Sequence, residues 1–147
     1  MIQRIQTLYV FFAALLTGLL LKLDFAELAS NGEWFVFNAR GIFSDQEMKF
    51  NGIPVLGFIV LITLLHFVVI FLYKKRIRQI RFLVFVIVLL LGLTGVLVYF
   101  LYSGFDKPQV VFKVPMIFPL LAVVLDYLAI RAIGKDEVLV RSMDRIR

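Results

Sequence analysis

The chain contains no cysteine, which removes disulfides, thiolate metal sites and cysteine nucleophiles in one step. Its only histidine, His66, has no carboxylate cluster at ligand spacing beside it in sequence, so a zinc site lacks donors. No glycine-rich phosphate loop, no serine in a nucleophile elbow and no His-Glu metalloprotease motif is present. The acids number ten against sixteen lysines and arginines and are scattered along the chain. Together these gaps argue against an enzyme and against a cofactor. No Pro-, Gly- or Ser-rich linker divides the sequence, so residues 1–147 read as one domain.

What is abundant is apolar. The chain is 62% hydrophobic with a mean hydropathy of +0.97, a balance too apolar for a soluble domain that must carry mixed charge on its surface. A net charge of +6 invites a nucleic-acid reading, but the cations flank apolar blocks instead of forming a soluble basic face. Membrane orientation explains them better, and no nucleic-acid partner is expected.

Four apolar blocks predict an all-α membrane protein, a bundle of four transmembrane helices over about residues 5–23, 53–73, 82–102 and 115–133. The first, Ile5 to Leu21 between Arg4 and Lys22, is longer than a signal-peptide core, and cleavage after Ala26 or Ala29 would place Asp24 or Glu27 where a small residue is required. It reads as an uncleaved anchor. The second and third approach the length a helix needs to cross about 30 Å of hydrocarbon. The fourth is interrupted by Asp126 and ends at Arg131, while Pro115 and Pro119 suit a helix start.

Orientation follows from the cations. Arg4, Lys74, Lys75, Arg76, Arg78, Arg81, Arg131, Lys135, Arg141, Arg145 and Arg147, eleven of the sixteen, fall on one side of this layout. On the other side six acids outnumber five cations. Both termini and the basic loop 74–81 are therefore expected in the cytoplasm. The tail 134–147 reads as an interfacial amphipathic segment, with Asp136 and Glu137 early and Arg141, Arg145 and Arg147 late. The same cations attract anionic lipids.

The outer loop, residues 24–52, holds two strand-like runs, Glu33-Trp-Phe-Val-Phe-Asn and Glu47-Met-Lys-Phe, with Arg40-Gly41 and Ser44-Asp45 as turn signals. They predict a small β-hairpin, with Val110 to Val114 as a possible third strand of the cap. Two strands alone are marginal in water, so Trp34, Phe35, Phe37, Phe43 and Phe50 need another surface: the bundle's outer end with its lipid interface, or a partner.

Inside the bilayer, Asp126 is the costly residue, roughly 2.5 to 3.5 kcal/mol on insertion scales unless paired, neutral or cavity-facing. Counted from the outer span ends, Asp126 and His66 lie at about 16 and 20 Å depth, close enough to meet. Asp126 then reads as a hydrogen-bonded packing residue, as half of a pair with His66 or a cation, or as a proton or ion site. Thr17, Gly18, Thr63, Gly92, Thr94 and Gly95 lie at similar depth, and Ala14 and Gly18 have small-xxx-small spacing; these predict a close packing seam.

The two ends of the chain are its most particular stretches: Met1-Ile-Gln-Arg-Ile-Gln-Thr-Leu-Tyr, and Ala129-Ile-Arg-Ala-Ile-Gly-Lys-Asp-Glu-Val-Leu-Val-Arg-Ser-Met-Asp-Arg-Ile-Arg. They resemble a family of small four-span inner-membrane proteins of Bacteroidota known only as a domain of unknown function. The resemblance implies a Gram-negative inner membrane, no assigned activity and no catalytic or ligand residues. Gln3, Arg4 and Gln6 face the same side as Asp136, Glu137 and Asp144, and a tie between the two ends would rival their separate solvation in headgroups.

The expected function is a structural or accessory subunit of a membrane assembly, with a membrane-protein partner or a second copy of the chain. Arg4, Lys74, Lys75, Arg76, Arg78, Arg81, Arg141 and Arg145 on one face, and Trp34, Phe35 and Phe37 on the other, are the candidate partner or lipid surfaces. The alternative is a small transporter or channel component using Asp126 and His66. A lipid-interacting regulator working through the cytoplasmic arginines is a third reading.

Overall fold

The computed structural model describes residues 3–30, 32–44, 47–103, 105 and 108–144. Helix α1 (Gln3–Leu19) leads into four strands, β1 (Asp24–Ser30), β2 (Glu33–Asn38), β3 (Gly41–Ser44) and β4 (Glu47–Asn51). Helix α2 (Ile53–Phe71) is joined by a single 3-10 turn to α3 (Arg76–Tyr102). Strand β5 (Gln109–Phe112) and a second 3-10 turn precede α4 (Phe118–Asp144). Helix α1 packs on α2 and α4, and α3 packs on the same two, so the four helices close into a ring.

Each helix turns one stripe inward, and the stripes alternate steps of four and three residues, as helices packed side by side require. They run Gln6, Val10, Ala13, Thr17 and Leu20 on α1 and its end; Val55, Ile59, Ile62, His66 and Val69 on α2; Gln79, Leu83, Val86, Leu90, Leu93 and Leu97 on α3; Ala122, Asp126, Ala129 and Ile133 on α4. The outward faces carry large exposed residues such as Phe11, Leu64, Phe85, Val88 and Val124. An inside no more apolar than the outside is what a hydrocarbon solvent demands.

The expected four-span bundle with a hairpin cap needs correction on two counts. Among the described residues three helices, not four, are long and apolar enough to cross a membrane: Ile53–Phe71, Arg76–Tyr102 and Val114–Val138. The apolar part of α1 is only Ile5–Leu19, about 23 Å at 1.5 Å per residue. The chain leaves the helix there because Leu21, Lys22 and Leu23 donate to Gly18 and Leu19 carbonyls in a turn that feeds β1. The cap, in turn, is a five-stranded antiparallel sheet in the order β4-β3-β2-β1-β5.

Strands β2, β4 and β5 match the strand-like runs, but β2 pairs with β1 and β3, not with β4. The stretch between the two turn signals is itself a strand, β3, and the polar Asp24 to Ser30 segment is β1, which lies between β2 and β5. Gly41 allows this tightness. Its φ of 142° lies where side chains are strained, and a Cβ there would overlap the Phe50 carbonyl oxygen.

The helices also run further than expected. Helix α3 begins at Arg76, so most of the supposed basic loop is helical, and α4 continues unbroken through Gly134 to Asp144, so the supposed interfacial tail is its last turns. At 27 residues each, these helices rise about 40 Å and project past the hydrocarbon.

Candidate functional site

Three interior polar groups, Thr17, His66 and Asp126, gather near the middle of the bundle. His66 and Asp126 are both fully buried, with Nε2 and Oδ2 3.1 Å apart. They stand on α2 and α4, diagonal to each other in the ring, so this bond ties two helices that share little other contact. The second imidazole nitrogen, Nδ1, lies 3.0 Å from the Ile62 carbonyl oxygen, which can only accept. Nδ1 therefore carries a proton. Nε2 then either accepts from a carboxylic Asp126 or, as imidazolium, donates to its carboxylate. Both arrangements bury no net charge, which is how the bilayer interior tolerates the pair.

The pair lies between two apolar clusters. Ile62 and Ala122 belong to the cluster that continues into the sheet, whereas Val69 and Ala129 belong to a smaller one at the opposite end with Val10, Leu83 and Ile133. Nearby, Thr63 donates to the Ile59 carbonyl at 2.9 Å and approaches Thr17 at 3.4 Å, while Thr17 donates back to the Ala13 and Ala14 carbonyls. The close packing seam thus runs between α1 and α2. On α3, Gly95 meets nothing within 4 Å and Gly92 meets only the Phe58 ring, so those two glycines do not bring backbones together.

Sequence reasoning missed Gln79, which is buried and donates from Nε2 to the Val69 carbonyl at 3.2 Å, near the C-terminal end of α2. Its signal is the α3 stripe, which extends backward by four from Leu83 into what reads as a charged loop. Gln6 is buried as well, and its Nε2 has no hydrogen-bond partner among the described residues. The expected tie between the chain ends rests mainly on side chains outside the described residues; among the described ones, Arg76 pairs with Asp136 at 3.0 Å and Glu137 at 3.6 Å, fastening α3 to α4. The side chains of Gln3, Arg4, Lys74, Arg141 and Asp144, and all of Arg145, lie outside the described residues. Of the remaining candidate cations, Lys75, Arg78 and Arg81 are exposed.

At the far end, the sheet's inner face buries Phe25, Phe35, Phe37 and Ile42 over the end of α3. Phe25 meets Phe37 edge-on at 5.2 Å, Phe35 meets Phe105 at 5.0 Å, and Phe37 stacks on Phe100 at 6.4 Å. Phe35 and Phe37, expected as candidate surface, are thereby core residues. Trp34 is different: it is 67% exposed and points away from the helices.

The outward face has its own order. Residues opposite each other across antiparallel strands share a face, and the register aligns Val111, Glu27, Val36, Phe43 and Met48 in one row across all five strands. Trp34 stands two residues from Val36 on the same face. Met48 and Val111 are each 56% exposed. In this row Glu27 carries the charge, and Lys113 reaches it at 2.7 Å and Asp24 at 3.7 Å. On the side of Phe35, Lys49 reaches Glu33 at 3.5 Å while lying 4.5 Å over the Phe35 ring. The hydrogen bond to Glu27, and then the charges of Glu27 and Asp24, hold the Lys113 ammonium above its ordinary pKa against partial desolvation.

Span-length apolar helices with polar groups turned to the inside and a sheet set on their ends mark a membrane protein. The chain belongs to the family described as Domain of unknown function (DUF4293), whose model matches residues 2–146. No curated protein and no solved structure matches it.

Proposed function

We propose that the protein is a non-catalytic accessory subunit of an assembly in the bacterial inner membrane, and that it docks its partner on the outward face of the sheet. The carrying observation is the row of Val111, Val36, Phe43 and Met48, broken only by the Lys113-paired Glu27, with Trp34 beside it: a face that leaves Trp34, Met48 and Val111 exposed while the aromatics of the opposite face are buried has the character of an interface core. In this reading the end bearing Lys75, Arg76, Arg78 and Arg81, together with both termini, lies in the cytoplasm, and the sheet lies on the other side. The partner is a membrane protein or a second copy of the chain.

Size analysis after gentle solubilisation tests it. The wild type is expected to run as a complex, and Trp34→Ser with Met48→Ser to release the smaller species without lowering thermal stability, since both side chains are exposed. A wild type that is strictly monomeric and co-purifies with nothing contradicts the reading.

A second reading, a small transporter or channel component, draws on the single proton that His66 and Asp126 share. It predicts that Asp126→Asn abolishes proton or ion flux in liposomes. Unchanged flux removes it.

A further inference from the structure

At the basic end, the outer side of the α2–α3 connection forms a groove of about 450 Å³ lined by Phe71, Leu72, Lys75, Arg78 and Phe82. Lys75, Arg78 and Phe82 follow one another at steps of three and four, so they form one stripe down this side. The two cations stand at the rim, and Phe82 lies about 6 Å deeper along α3. Phe71, on α2, is largely exposed beside it. The groove is therefore cationic at the level where hydrocarbon ends and aromatic below.

Several other cations of the molecule are already satisfied. Arg76 holds Asp136 and Glu137, Lys113 holds Glu27 and Asp24, and Lys49 holds Glu33. Among the described residues, Lys75 and Arg78 have no acidic partner, and no acid lines the groove. Two unneutralised cations over an apolar floor, at the ends of two span-length helices, match one kind of ligand in both charge and shape.

We propose that this groove is a binding site for an anionic phospholipid. The headgroup phosphate sits between the Lys75 ammonium and the Arg78 guanidinium, which can take it through two parallel N–H bonds, and the upper acyl chain lies along Phe82, Phe71 and Leu72. Lys75 and Arg78 recognise the phosphate; the aromatic floor recognises that it belongs to a lipid. The site is independent of the sheet and of whatever docks there.

Native mass spectrometry of the full-length protein, released from detergent with added phosphatidylglycerol or phosphatidylcholine, tests the site. The wild type is expected to retain phosphatidylglycerol in preference to phosphatidylcholine. Lys75→Gln with Arg78→Gln is expected to lose about 30-fold in that retention, as removal of two cations near the membrane surface requires. Lys75→Arg with Arg78→Lys keeps the charges and is expected to restore binding, which separates a lost site from a misfolded protein. Arg40→Gln, at the sheet end, serves as the control and leaves retention unchanged. Glycerol phosphate, the headgroup without chains, is expected not to displace the lipid. Equal retention by the Lys75→Gln/Arg78→Gln protein, equal retention of phosphatidylcholine, or displacement by glycerol phosphate overturns the proposal.

Discussion

Truncating one member of the His66–Asp126 pair leaves the other buried with no partner across the ring. Asp126→Leu or His66→Leu alone is expected to destabilise the protein by about 1 to 2 kcal/mol, whereas the double substitution removes both polar groups together and costs less than the two single losses combined. Unfolding in detergent measures this, and strictly additive losses contradict the direct bond. Gln79→Leu is expected to cost about 1 kcal/mol in the same assay, because the buried bond that the Val69 carbonyl accepts beside the Leu72 N–H is lost. The pair is legible in the sequence as two ionisable residues at matching depth. Its diagonal placement is not, because hydropathy counts depth along a helix and says nothing of which helices are neighbours. Gln79 is hidden for a different reason: five cations around it make a helical turn look like a loop.

Among the elements, the sheet depends on glycine at one place more than another. Gly41→Ala drives a Cβ into the Phe50 carbonyl and is expected to cost at least about 2 kcal/mol, while Gly32→Ala, at φ 84° with nothing within 4 Å, costs about 1 kcal/mol. Thermal unfolding orders the two, and an equal or reversed order contradicts the β3–β4 pairing. Lys113 ties β5 to β1 through Glu27 and Asp24, and its sign with pH follows from its raised pKa. The stability it contributes is fully present below the ordinary lysine value of 10.5 and is lost as pH rises through the higher folded value. The unfolding midpoint is therefore expected to fall above about pH 10.5 more steeply in the wild type than in Lys113→Gln. Identical alkaline curves contradict that role.

Strand pattern predicts β2, β4 and β5 because each alternates or clusters bulky apolar residues. It fails at β1 and β3. Strand β1 carries Asp24, Glu27 and Ser30, and a register shift between Asp24 and Ala26 breaks its alternation, burying Phe25 and Ala26 in succession. Strand β3 is four residues opened by a glycine, and such a segment looks like a turn unless its neighbours are known.

At the scale of the whole molecule, the segregation of cations is legible in sequence, and so is the apolar character of the helices. The span count is not, because the first apolar block continues into residues that fold as the turn into β1. The absence of cysteine makes orientation easy to read. A single cysteine placed by Arg40→Cys, beside the sheet, is expected to react with an impermeant maleimide from outside intact spheroplasts. One placed by Lys75→Cys is expected to react only after the membrane is opened; the reverse pattern contradicts the proposed orientation.

That the sheet's outward face is where the protein meets its partner can be checked in living cells. A photoreactive residue is placed at position 34 or 48 and, for comparison, at the lipid-facing position 88. Discrete protein adducts of one mass are expected from positions 34 and 48, and none of that mass from 88. The absence of adducts at 34 and 48, or the same adducts from all three, would contradict the proposed docking face.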